Sequence, residues 1–157
     1  MLILLDVDGV MVPANSWKKP EFHDDGFAVF SSKSASALQK IITETGATIL
    51  LTTSHKTKYD IAEWQHIFEL RGIKVKRINS LLSNSLEINR KDEILNWYQS
   101  KHKPTESFVI IDDDKILNEL PSKLKNNLVL TSSNVGLTDE LAEHAISILK
   151  KSALNLV

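Results

Sequence analysis

The sequence predicts an α/β sandwich, a mostly parallel five-stranded sheet with helices on both faces, and three observations predict it. Short apolar runs recur at Leu2–Leu5, Ala47–Thr52, Phe108–Ile111 and Leu128–Leu130, each too brief for a helix and suited to a buried strand. Between them, apolar residues fall at helical spacing. The two patterns alternate along the chain, as parallel strands joined by right-handed crossover helices require. A length of 157 residues, 42% hydrophobic and 25% charged, suits one domain spanning 1–157.

The elements follow in order. Leu2–Leu5 is the first strand. Residues 10–32 break periodicity with Pro13, Pro20 and Gly26, and read as an irregular flap or small hairpin centred on about 11–30. Ala35, Leu38, Ile41 and Ile42 mark a helix from about Lys33 that stops at Gly46. The strand Ala47–Thr52 leads to a second amphipathic helix carrying Ile61, Trp64, Ile67 and Phe68, closed by Gly72. Ile73–Ile78 alternates apolar and basic residues, the pattern of an edge strand guarded by Lys74 and Lys76. A helix opens near Asn89, with Asp92 and Glu93 favouring its positive end and Ile94, Trp97 and Tyr98 on its apolar face. After the strands at Phe108 and Leu128, a Thr138 cap begins the last helix, with Leu141, Ala145, Ile148 and Leu149 inward.

Composition removes several function classes. Nineteen basic and twenty acidic residues leave a formal charge of −1, so no global basic field attracts nucleic acid or membrane. The absence of Cys excludes disulfide scaffolds, thiolate metal sites and cysteine nucleophiles. No apolar run approaches a membrane span, and Met1–Asp6 lacks the basic flank and cleavage site of a signal peptide. A cytoplasmic domain is expected.

In parallel sheets, function gathers at the carboxyl ends of the strands. Asp6-Val7-Asp8-Gly9-Val10 follows the first strand. Two acids one residue apart repel unless a cation or proton intervenes, although a turn-capping Asp6 and a solvated Asp8 would each be bland alone. Thr52-Thr53-Ser54-His55 follows the second, where hydroxyls and backbone N–H groups suit an anion, or simply cap a helix. Asp112-Asp113-Asp114 follows the fourth. Asp114 serves as a cap there, while the other two acids crowd charge in a way that suits a hard cation such as Mg²⁺. Lys91, at the start of the preceding helix, can lean toward the same crevice or remain solvated.

These residues together resemble the haloacid dehalogenase (HAD) superfamily of phosphohydrolases. Asp6-Val7-Asp8-Gly9-Val10 is similar to its first motif, Thr53 after Ile49-Leu50-Leu51 to its second, Lys91 to its third and Ile110-Ile111-Asp112-Asp113 to its fourth. More narrowly, Lys91–Trp97, Phe108–Asp114 and Val135–Asp139 resemble the small HAD-like domains of "Swiss army knife" RNA-repair proteins. The resemblance implies a Rossmann-like three-layer sandwich with strand order 3-2-1-4-5. It also implies a Mg²⁺-dependent phosphomonoesterase. Asp6 is then the nucleophile, forming an aspartyl phosphate, and Asp8 the general acid and base. Thr53, Ser54 and Lys91 hold the phosphoryl oxygens. Asp6, the backbone carbonyl of Asp8 and a fourth-motif acid, Asp113 ahead of Asp112, hold the metal.

Only about forty residues separate the first two motifs, too few for a separate cap domain beside the helix, so an open site suited to nucleic-acid ends or nucleotides is expected. Trp17, Lys18, Lys19 and His23 on the flap can stack on or contact such a substrate, or simply pack and be solvated. Arg71, Lys74, Lys76, Arg77, Arg90 and Lys91 form a modest basic cluster, and His55 can line the phosphate site. His66, His102 and His144 read as helix-surface residues, Trp64 and Trp97 as core. Competing readings are a small-molecule or deoxyribonucleotide phosphatase, a phospho-acceptor receiver domain and a non-catalytic phosphate-binding module. A receiver places its acceptor Asp after the third strand, whereas here the candidate follows the first.

Overall fold

A computed structural model describes residues 1–14, 21–81 and 89–155. Trp17, Lys18, Lys19 and Pro20 of the expected flap lie outside them. The elements run β1 (Leu2–Leu5), α1 (Ser32–Thr45), β2 (Thr48–Leu51), α2 (Ile61–Leu70), β3 (Ile78–Ser80), α3 (Arg90–Ser100), β4 (Phe108–Asp112), a 3-10 helix (Lys115–Glu119), α4 (Ser122–Lys125), β5 (Leu128–Leu130) and α5 (Asp139–Asn155). The five strands pair in parallel in the order β3-β2-β1-β4-β5, as expected.

Local chemistry explains the helix ends. Ser31 accepts the Ser34 N–H to start α1, and Gly46, in the left-handed region at φ 70°, returns its N–H to Ile42 to stop it. Asp60 and Glu63 satisfy each other's backbone N–H groups in a reciprocal cap on α2. Asn89 accepts from Asp92 N–H at α3, and Thr138 from Leu141 N–H at α5. The short helical turns between β4 and β5 have no apolar periodicity long enough to announce them in sequence. Asp114 caps the first by accepting the Ile116 N–H, the bland role expected of it.

The expected edge strand at Ile73–Ile78 is corrected: the pairing begins at Ile78 and runs to Ser80. β2 begins only at Thr48, so the residues before Arg77 have no strand opposite them, and the amide of Gln39 on α1 engages Lys74 instead. It donates to the Lys74 carbonyl and accepts the Lys74 N–H, so those backbone groups are satisfied by a side chain rather than by β2.

Alternation along β1 splits the core. Ile3 and Leu5 face one side with Leu38 and Ile41 of α1, Trp64 and Phe68 of α2, and Ala145 and Leu149 of α5. Leu4 faces the other, with Ile94 and Trp97 of α3, Leu117 and Leu124. Each fully buried side chain of this size contributes about 1.5–3 kcal/mol relative to exposure. Helices on both faces leave the crevice above the carboxyl ends of β1 and β4, where the chain direction across the sheet reverses, as the natural site.

Residues 21–30 form an antiparallel hairpin with a Phe22–Ala28 bridge. Arg71 holds it. Its guanidinium donates to Asp25 Oδ1 and Oδ2 and to the carbonyls of Phe27, Ala28 and Ile67. Arg71 therefore belongs to the interior and not to a basic surface cluster. Among the other basic residues of that group, Lys74, Lys76 and Arg77 are exposed while Arg90 turns inward. His66 and His144 are on the helix surface as expected, but His102 folds back beyond α3 to stack on Tyr98.

Candidate active site

β1 and β4 end in register, Leu5 opposite Ile111, so Asp6 and Asp112 leave the sheet side by side. The Asp6 N–H donates to the Ile111 carbonyl at 3.1 Å, which ties the first acid to the end of β4. One carboxylate oxygen from each of Asp6, Asp112 and Asp113 falls within 4.8 Å of the others. Asp6 and Asp112 are buried and Asp113 is half-buried.

Gly9 sets how closely the loop after β1 approaches these acids. Its φ is +78°, and a Cβ there would lie 2.0 Å from Asp113 Oδ2. Only glycine allows both the left-handed backbone and the contact. Behind it, the Thr131 hydroxyl donates to the Gly9 carbonyl at 2.7 Å, and the Ser133 hydroxyl donates to Asp113 Oδ2 at 2.9 Å. Asp112 Oδ1 accepts the Asp114 N–H. These supports come from the end of β5 and the turn after β4. Sequence reasoning did not single out Thr131 or Ser133, although hydroxyls directly after a strand were the signal used at Thr53.

The cation beside the acids is Arg90. Its Nη1 lies 2.5 Å from Asp112 Oδ2 and 3.4 Å from Asp6 Oδ1. Lys91, the residue expected there, is half-buried and forms no ion pair with any described acid. Adjacent residues on a helix point about 100° apart, so the rotation of α3 selects between the two neighbours. Lys56, in the turn after β2, is buried and forms an ion pair with Glu93 of α3, Nζ to Oε2 3.0 Å.

Burial pushes the Asp6 carboxyl up to about 8, and the neighbouring Asp112 charge adds to the rise, against the opposing pull of Arg90 and the Val7 N–H. Burial likewise raises Asp112, again opposed by Arg90. Burial works against the charged form of Arg90, yet Asp112 and Asp6 hold its guanidinium above the ordinary value. One guanidinium does not compensate three converging carboxylates, so burial and mutual repulsion leave Asp6 holding its proton at neutral pH unless a further cation is present. An all-oxygen cluster with excess negative charge is what a hard divalent cation requires, so these residues fit a metal ion.

Asp8 stands apart from that cluster. It is exposed, and its Oδ2 lies 2.8 Å from His55 Nε2. Thr53 is fully buried two residues past the end of β2, where its hydroxyl oxygen accepts the His55 N–H and keeps its hydrogen to donate. Ser54 is exposed. The structure thus brings Asp6, Asp112 and Asp113 together, joins Asp8 to the loop after β2, and sets Arg90, the neighbour of Lys91, against Asp112 and Asp6.

Among the described residues, no helix is long and apolar enough to cross a membrane. A family model described as "HAD domain in Swiss Army Knife RNA repair proteins" matches residues 2–142. A search of the curated proteins returned no match.

Proposed function

The chain belongs to the family of HAD domains found in Swiss Army Knife RNA repair proteins, which points to a phosphatase-type hydrolase, and from that premise we propose a Mg²⁺-dependent phosphomonoesterase acting on nucleic-acid ends. The convergence of Asp6, Asp112 and Asp113 oxygens within 4.8 Å, with Asp8 two residues beyond the first, carries the reading. The whole chain acts as one catalytic domain.

In the first half-reaction, an Asp6 carboxylate oxygen attacks phosphorus while the bond to the leaving oxygen breaks, and Asp8 gives that oxygen its proton. In the second, water attacks the aspartyl phosphate, Asp8 takes a proton from it, and the bond from Asp6 to phosphorus breaks. Phosphate and free Asp6 result. The Thr53 hydroxyl, Ser54 and the cations of Arg90 and Lys91 hold the equatorial oxygens, where charge accumulates. Asp6, Asp112, Asp113 and the Asp8 backbone carbonyl would hold Mg²⁺, which supplies the positive charge that lets an anionic nucleophile meet an anionic substrate.

An exposed Asp8 suits a bulky substrate, and the family's description favours a nucleic-acid one. The test is phosphate release, with Mg²⁺ or EDTA, from p-nitrophenyl phosphate, mononucleotides and oligonucleotides carrying a 3′- or 5′-phosphate. The expected result is Mg²⁺-dependent release, abolished in Asp6→Asn and faster from one kind of oligonucleotide end than from mononucleotides. A preference for mononucleotides would identify a nucleotidase. No turnover by folded protein that binds Mg²⁺ would leave a phosphate-binding module.

A further inference from the structure

We propose that His55 is a positioning residue for the general acid and base, holding the Asp8 carboxylate so that one of its oxygens faces the leaving group. The inference rests on the phosphomonoesterase reading above. Asp8 is exposed, and apart from His55 no described side chain engages its carboxylate. An exposed, flexible carboxylate samples several rotamers, and holding one of them brings the proton-bearing oxygen into line. His55 Nε2 meets Oδ2 at 2.8 Å. That leaves Oδ1 to exchange the proton.

His55 is itself held from two directions. Its backbone N–H donates to Thr53 Oγ1, and its carbonyl accepts the Lys58 N–H at 2.9 Å, which fixes the turn after β2. Its ring and the buried Phe27 ring meet in a T-shaped contact, with a centroid distance of 5.6 Å and an interplanar angle of 89°. Phe27 in turn is anchored through its carbonyl, which accepts from Arg71 Nη2 at 2.9 Å. A series of fixed contacts therefore runs from the hairpin held by Arg71 to an otherwise free carboxylate. Surface histidines lacking such a partner, such as His66 and His144, show no comparable arrangement among the described residues.

A misplaced general acid harms esters in proportion to how much their leaving group needs a proton. Alkyl phosphates need one, and p-nitrophenolate leaves without it. The experiment measures kcat/KM, which covers steps through leaving-group departure, for p-nitrophenyl phosphate and an alkyl phosphate ester in wild type, Asp8→Asn, His55→Phe and His55→Gln. His55→Phe keeps a ring against Phe27 but cannot bond Asp8, whereas His55→Gln keeps a donor. The expected result is that His55→Phe lowers kcat/KM for the alkyl ester roughly tenfold more than for the aryl ester, a part of the 10²–10⁴ that general acid catalysis contributes. His55→Gln recovers most of that difference. Equal losses on both esters in His55→Phe, or none, overturn the inference while Asp8→Asn still discriminates between them. If Asp8→Asn itself does not discriminate, the reading of Asp8 fails and takes the inference with it.

Discussion

At the residue scale, the acid at the end of β1 is held in a state that opposes its proposed use. Burial and the charge of Asp112 raise the Asp6 carboxyl to about 8 from an ordinary 3.8. With a raised pKa, the folded state binds the proton more tightly than the unfolded state. The resulting stabilisation is full below 3.8 and is lost as pH rises through about 8. The metal-free protein therefore loses stability across that window. Asn matches the size of Asp and carries no charge to desolvate. In EDTA, Asp6→Asn is expected to melt above wild type at pH 8, with the gap closing toward pH 4. Thermal melts at a series of pH values check this, and an unchanged gap between the two would contradict the charge assignment. Arg90 offsets part of the same strain, its Nη1 lying 3.4 Å from Asp6, the proposed nucleophile, and beside Asp112.

At the scale of elements, the site is assembled from loops that are each pinned by a contact distant in sequence. The turn containing Gly136 presses on the loop after β1: a Cβ at Gly136 would lie 2.5 Å from the Val10 carbonyl oxygen, which accepts the Leu137 N–H at 2.8 Å. The hairpin at 21–30 is held by Arg71, whose side chain is 1% exposed. The Arg71 guanidinium holds the Asp25 carboxyl at about 2, below its ordinary 3.8, so this stabilisation is present above 3.8 and is lost as pH falls through about 2. Replacing Arg71 by Met removes one partner of a largely buried pair and leaves the hairpin carbonyls without donors. The expected cost is about 3–5 kcal/mol in urea denaturation at neutral pH. A loss under ~1 kcal/mol would mean that the hairpin is held by its apolar contacts alone.

At the scale of the whole molecule, one sheet with two covered faces supports a crevice where β1 and β4 end together. A cation bound there stabilises the native state and not the unfolded chain. Mg²⁺ at a hundred times its Kd is expected to add about 2.7 kcal/mol. For a chain of this length that raises Tm by about 5–10 °C. The shift is expected to shrink sharply in Asp112→Asn. Calorimetric titration with Mg²⁺ alone checks the same point without any substrate. A Tm that ignores saturating Mg²⁺ would remove the metal from the mechanism.

Much of this was legible in the sequence because its causes are local. Alternating apolar runs and helical periodicity set the element order, and caps such as Asn89 and Thr138 act within a few residues of themselves. Acids placed directly after strands pointed to the crevice, since a strand's direction determines where its next residue emerges. What only the tertiary structure decided depends on groups far apart in the chain. Gln39 became the backbone partner of Lys74, and β2, starting at Thr48, left β3 to begin at Ile78. The rotation of α3 set Arg90 rather than Lys91 against Asp112, and Arg71 was drawn inward by a hairpin more than forty residues earlier. His55 met Asp8 across 47 positions of sequence. Composition and spacing report which chemistry is available to a chain, but a side chain's partner is set by packing, where an angle or an ångström decides which of two neighbours arrives.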